Sequence, residues 1–268
     1  FLMTKQRENP KILVNIRDYL SPDGVIVTMQ NGLPEPSVIS AVGAKRCLGC
    51  AVAWGATTVG LGEVELTSKK EKMTFSLGSM NGITTWIEPV KEYLECAGKV
   101  IVEENFFSAR WAKLVINSAF SPLSAMSGMT FGQVSRGKYS KRIALELLNE
   151  AFTVAEQCGV EIAPLQGHDL VRLYRCKGKF KTVVARMLLP FAMSNHRDLK
   201  SGMYADLSAG KRCDVDFING VIKKIGKKFQ VKTPVNDEVI ALVRSIEKGE
   251  REISADNIKI IYDKVFNN

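Results

Sequence analysis

Val25-Ile26-Val27-Thr28-Met29-Gln30-Asn31-Gly32-Leu33 decides the fold class. Its first five residues form a near-continuous apolar run, the pattern of a strand covered on both sheet faces. The run stops at Gln30-Asn31-Gly32, and Asn-Gly suits a tight turn. Upstream, Ser21-Pro22-Asp23-Gly24 is a strong turn signal, preceded by a predicted helix over residues 10–19 with Ile12, Leu13 and Ile16 on one face. Phe1 to Thr4 reads as the end of another strand. Downstream, a helix over about 36–42 leads to a buried strand over 47–54. This strand–helix–strand rhythm predicts a parallel sheet with crossover helices. The runs 63–68 and 73–77 are more polar and alternating, so they suit an antiparallel edge. A helix over 83–97 and a short strand over 99–102 complete this half.

From residue 104 the texture turns helical. Helices are predicted over 106–119 and over 141–158, the latter with Ile143, Leu147, Ala151 and Val154 on one stripe and Gly159 as its C-cap. A further helix starts at Thr233 with Pro234 in its first turn and Val239, Leu242, Val243 and Ile246 on one face. The expected fold is therefore α/β in residues 1–103, followed by an all-α domain in 104–268.

The composition of the 268 residues, 46% hydrophobic and 24% charged, is that of an ordinary globular protein. No apolar run approaches the ~20 residues that cross a bilayer. Phe1-Leu2-Met3-Thr4-Lys5 lacks the features of a signal peptide. The net charge of +9 fits either a nucleic-acid surface or a site for an anionic ligand. Basic residues are not interleaved with aromatics, which argues against nucleic acid. Lys223, Lys224, Lys227 and Lys228 read as a solvated helix face. Cys47-Leu48-Gly49-Cys50 has CxxC spacing, but no second ligand pair completes a zinc site. All six cysteines read as thiols in a reducing, cytoplasmic setting. His168 and His196 read as surface residues, so histidine-based catalysis is not expected.

Three constellations carry candidate chemistry. Gln30-Asn31-Gly32 lies at the carboxyl end of a parallel strand, where open α/β sheets bind ligands; turn formation alone also accounts for it. Lys113 and Asn117, in Trp111-Ala112-Lys113-Leu114-Val115-Ile116-Asn117, share a helix face among apolar neighbours. A lysine there is either a desolvated proton donor or a stem that reaches out to water. Asp206, Asp214 and Asp216 fall close together in the block Ser201–Gly220; their spacing is not that of a calcium loop, and pairing with Lys211 and Arg212 accounts for them equally. Nowhere does G-x-G-x-x-G open a helix, and Gly60-Leu61-Gly62 reads as a turn.

Taken together, the segments resemble the ketopantoate reductase family. The resemblance rests on Asn31-Gly32-Leu33, Gly55-Ala56-Thr57 with Gly60-Leu61-Gly62, Trp111-Ala112-Lys113-Leu114 with Asn117, the block Ser201–Gly220 and Thr233-Pro234-Val235-Asn236, in that order. It spans essentially the whole chain. It implies a Rossmann-type cofactor domain followed by a helical domain like that of 6-phosphogluconate dehydrogenase. The first strands and phosphate loop of such a cofactor domain are expected to be missing here, roughly 60–70 residues at about 30 per βαβ unit.

The resemblance also implies roles. The cofactor is NADP(H), the substrate a small 2-oxo acid such as 2-dehydropantoate, and Lys113 the general acid. Asn117 and Ser201 would hold substrate. Asn31 and Gly32 would flank the nicotinamide, and Lys5 would lie near the adenosine phosphate. Asp214, grouped with the cofactor-binding residues, stands where the family has a functional glutamate. No metal is implied, and a homodimer through the helical domain is. Three positions depart from the family's polar pattern: Phe131, Leu199 and Gly202. A non-catalytic dimerising module derived from the family is the alternative.

Overall fold

The computed structural model describes residues 1–82 and 85–267, and the chain divides into two compact units, Phe1–Arg110 and Trp111–Asn268. The first unit holds α1 (Asn9–Tyr19), β1 (Ile26–Thr28), α2 (Glu35–Val42), β2 (Cys47–Val52), β3 (Ala56–Gly60), β4 (Glu63–Leu66), β5 (Thr74–Gly78), α3 (Ile87–Glu95), β6 (Lys99–Val102) and the start of α4 (Phe106–Ser127). The helix expected over 83–97 is α3; Ile83 and Thr84 lie outside the described residues.

The main sheet has the order β1-β2-β5-β6. β1 and β2 are parallel across the α2 crossover, with Ile26 opposite Cys47. Leu2 adds a parallel bridge to Thr28. The expected parallel sheet is corrected in one respect. β5 is not an edge strand: it runs antiparallel to β2 and parallel to β6, between them. Phe75 and Leu77 are buried under α3, while Thr74 and Ser76 alternate with them on a half-covered face. That half-covered face is what made the run look like an edge. The other edge candidate, β4, pairs with β3 in a separate, largely exposed hairpin.

Each face of the sheet has its own apolar layer. Val27, Met29, Leu48, Cys50, Phe75 and Leu77 meet Ile87, Val90 and Leu94 of α3. Leu2, Ile26 and Cys47 meet Leu13 of α1 and Val38 and Val42 of α2 on the other side. Gly49 and Gly78 face each other across β2 and β5. A Cβ on Gly49 would fall within the ring of Phe106, and one on Gly78 would lie 2.6 Å from the Phe106 Cβ. The two glycines thus form the slot into which the first turn of α4 inserts.

The second unit continues α4 and adds α5 (Phe131–Arg136), α6 (Ser140–Gln157), α7 (Leu170–Tyr174), α8 (Lys179–Ala192), α9 (Gly202–Ser208), α10 (Val215–Lys228), α11 (Pro234–Glu247) and α12 (Asp256–Phe266). The first of these corrects a sequence expectation: α4 does not end at Ala119 but runs on through Pro122 to Ser127. Proline has no N–H for the Ser118 carbonyl four residues earlier. Asn219 of α10 supplies the missing donor, its Nδ2 lying 2.8 Å from Ser118 O. Asn219 Nδ2 also donates to Asn236 Oδ1 at 2.9 Å. Glu150 of α6 completes the chain: it accepts from the backbone N–H of Val235 and Asn236 at 2.7 and 3.0 Å and from Asn236 Nδ2 at 2.7 Å. It caps the first turn of α11 from inside the core.

Gly49→Ala should drive a methyl group into Phe106, and we expect a loss of about 2 kcal/mol or more in denaturant unfolding; an unchanged midpoint would mean that Phe106 moves aside freely. Burial pushes the Glu150 carboxyl up to about 7, outweighing the N–H donors that favour its charged form. A folded pKa above the unfolded one gives stability that is complete below the unfolded value and is lost as pH rises to about 7. The stability difference between the native chain and Glu150→Gln should therefore shrink between about pH 5 and pH 7.5; a difference independent of pH would contradict it.

Candidate active site

In the first unit, the carboxyl end of β1 is held by side-chain amides. Gln30 is buried, and its Nε2 donates to Thr4 O at 2.6 Å and to Asn9 Oδ1 at 2.7 Å. Asn9 Nδ2 donates back to Gln30 Oε1 at 3.1 Å and to Ser37 Oγ at 2.9 Å. Thr28 Oγ1 donates to Gln30 Oε1 at 3.2 Å, and Gln6 Nε2 donates to Asn31 O. The chain then turns at Gly32 with φ +83°, a conformation that favours glycine. These bonds bring Lys5, next to Thr4, to the same sheet end as Asn31 and Gly32. Gly32 is buried, Lys5 half-buried and Asn31 exposed. The frame is densely hydrogen-bonded, and Asn31 is its exposed residue. Such a sheet end fits a dinucleotide.

Arg110 closes this frame from beneath. It is wholly buried; its Nη1 donates to Gln30 O at 3.0 Å and its Nη2 reaches Thr28 O at 3.4 Å and Glu35 Oε1 at 2.5 Å. Neither Arg110 nor Glu35 was anticipated. The signal was an arginine directly before Trp111, close to the apolar residues Phe106 and Phe107.

In the second unit, Lys113 and Asn117 are both half-buried and lie one turn apart on α4. Their neighbours Ala112, Leu114 and Val115 are buried. Ser121, one further turn along, donates its hydroxyl to Asn117 Oδ1. Ser201 is 3% exposed. Its Oγ donates to Ser121 O at 2.9 Å and accepts from Tyr204 N at 3.1 Å, while its own N–H donates to Ser124 Oγ at 3.0 Å. Ser201 thereby fastens the start of α9 to α4 beside Asn117. Asp214 is half-buried at the N-cap of α10, the helix that Asn219 ties to Ser118. The structure thus gathers Lys113, Asn117, Ser121 and Ser201 along one stretch of α4.

The three aspartates do not act together. Asp216 pairs with Arg244 at 2.6 Å and with Arg212 at 3.9 Å. Among the described residues no group of three or more His, Cys, Asp or Glu side chains could hold a metal ion. Cys47 and Cys50 are buried thiols outside any disulfide, and burial pushes Cys47 up to about 12. The lysines of α10 are exposed, as expected. The two apolar departures are neighbours: Phe131 N donates to Leu199 O at 2.9 Å. Gly202 is exposed, and a Cβ there would have open space.

Residues 1–81 match the family model described as ketopantoate reductase PanE/ApbA, and residues 105–247 match its C-terminal counterpart. The chain is 30% identical over 228 residues to the 2-dehydropantoate 2-reductase of Archaeoglobus fulgidus, an alignment that covers 84% of this chain and 69% of that one. Among solved structures, the ternary complex of D-mandelate dehydrogenase with NADH and anilino(oxo)acetate superposes with a TM-score of 0.75 at 19% identity, covering 92% of this chain and 75% of that one. The dimeric ketopantoate reductase of Staphylococcus aureus superposes with a TM-score of 0.70 at 15% identity, covering 92% and 77%. These likenesses are of fold. No helix among the described residues is long and apolar enough to cross a membrane. With both family models matched in order along its length, the chain belongs to the ketopantoate reductase family of oxidoreductases.

Proposed function

We propose that this protein is an NADPH-dependent reductase of a 2-oxo acid, 2-dehydropantoate or a close analogue, with Lys113 as general acid. The observation that carries this reading is the half-buried pair Lys113 and Asn117 on one face of α4, backed by Ser121 and Ser201. When bound, a nicotinamide dinucleotide supplies the hydride. Asn31 and Gly32 would hold its nicotinamide end and Lys5 its adenosine phosphate, and Asp214 is a further candidate cofactor-binding residue.

The chain's own contribution is electrostatic and protonic. Reduction of a ketone builds negative charge on its oxygen. The Lys113 ammonium would donate a hydrogen bond to that oxygen and release its proton to it. Apolar neighbours exclude water, which strengthens this interaction in the transition state. Asn117, oriented by the Ser121 hydroxyl, would hold the substrate's polar groups. Ser201, with its hydroxyl turned to Ser121, supports that geometry as a positioning residue. A homodimer is the assembly we favour, as in the dimeric Staphylococcus aureus relative of the same fold. Six cysteines outside any disulfide are in keeping with the cytoplasm.

Phe131 and Leu199 favour a second reading of the substrate. Two adjacent apolar residues suit a 2-oxo acid with a bulky apolar group better than one rich in hydroxyls. The fold relative with anilino(oxo)acetate bound is a precedent for such a ligand.

The reading is tested by following oxidation of NADPH and NADH by the full-length protein with a panel of 2-oxo acids including 2-dehydropantoate. Turnover of at least one acid with NADPH preferred is expected; turnover of none sinks the proposal. Lys113→Ala should lower turnover by at least ~100-fold, the scale of a lost general acid, and an active variant refutes the role of Lys113. Phe131→Asn should move the kcat/KM ratio toward 2-dehydropantoate and away from aromatic 2-oxo acids by about 10-fold; a ratio that stays put removes Phe131 from the pocket.

A further inference from the structure

Arg110 has no exposed surface, so it cannot touch a ligand. Its contacts nevertheless converge on the loop to which we assign the nicotinamide end. The carbonyls of Thr28 and Gln30 are the last two on the same side of the chain before the Asn31-Gly32 turn, and Arg110 takes both. The remaining charge is met by Glu35, equally buried in the first turn of α2, just beyond the turn. The Phe106 ring lies 5.1 Å from the guanidinium carbon and floors the site. Gly49 makes room: a Cβ there would stand 2.8 Å from Glu35 Oε1. One guanidinium therefore ties both ends of the loop, residues 28–30 and residue 35, to α4.

We infer that the Arg110–Glu35 pair is a positioning device for the Asn31-Gly32 turn, and through it for the bound dinucleotide. The inference rests on the cofactor placement of the preceding section. A planar, forked guanidinium can reach two carbonyls and a carboxylate at once. A lysine ammonium in the same place is a point charge on a flexible stem and cannot span all three. Truncating either partner alone would bury an unpaired charge and endanger folding. The informative variants are therefore Arg110→Lys, which keeps the charge, and the neutral double variant Arg110→Gln with Glu35→Gln, which keeps hydrogen-bonding groups in the cavity.

Two measurements on the full-length protein test the inference. The first needs no cofactor: amide hydrogen exchange of residues 30–33. In folded Arg110→Lys it should quicken by about 10-fold or more, while β5 and α3 stay as in the native protein. Unchanged exchange, or an increase spread evenly over the sheet, overturns the clamp. The second is steady-state kinetics. KM for the dinucleotide should rise by about 10-fold, as expected when a binding group is misplaced, with KM for the 2-oxo acid within about threefold of native. Equal rises in both, or no rise in either, overturn the link to the cofactor. The double variant should show the same pattern. If it exchanges as the native protein does, the charge pair is not the device. Should the native protein bind neither NADPH nor NADH, the cofactor placement fails by itself, and the exchange result still decides the clamp.

Discussion

One missing hydrogen bond organises the second unit. Pro122 sits in the middle of α4 and cannot donate to Ser118 O, and a buried carbonyl left without a donor is destabilising by roughly 1–3 kcal/mol. Asn219 fills that position, and its own geometry is set by Asn236, which is set by Glu150. Four helices, α4, α6, α10 and α11, are thereby locked in register through a single chain of polar atoms. Apolar packing alone would tolerate some sliding of these helices; directional hydrogen bonds do not. The Lys113–Asn117 face lies just before the proline on the same helix, so the packing that repairs the break also steadies the candidate proton donor.

The first unit solves a different problem. Its sheet ends in a loop that exposes Asn31 while the residues that hold the loop are buried. Exposed loops ordinarily move. Here the loop is held from one side by Gln6, Asn9 and Gln30 and from the other by Arg110 and Glu35, all buried or nearly so. The paired glycines of β2 and β5 are what let α4 come close enough to deliver Arg110. In both units the residues proposed to meet a ligand, Asn31 in one and Lys113 with Asn117 in the other, stand on a frame of buried polar groups. This arrangement also explains where the positive charge sits. The α10 lysines are solvated, and Lys223 pairs with Asp237 at the surface at 2.7 Å, whereas the buried Arg110 is matched by a buried carboxylate.

Much of this was legible in the residues. Apolar runs and turn signals located β1, β2, α1, α2 and the long helices, because period and capping are local properties of a chain. The order of Asn31-Gly32-Leu33, Trp111 to Asn117 and the block Ser201–Gly220 carried the family. Other features were not legible. The run that forms β5 alternates polar and apolar residues, and nothing local says that another strand will cover its second side. α4 runs on past Ala119 through Pro122, and the donor that replaces the proline's missing N–H lies 101 positions away.

The sequence by itself determined the fold class, the family and the candidate proton donor, since each is written in spacing along the chain. The tertiary structure alone decided which polar residues are exposed and which are buried in the frame. Ser201 donates its hydroxyl to the Ser121 carbonyl, and Arg110, unremarkable in the sequence, binds the carbonyls that lead into the Asn31-Gly32 turn. The physical reason is that a side chain's role depends on which donors and acceptors surround it after burial, and those partners come from segments that only folding brings together.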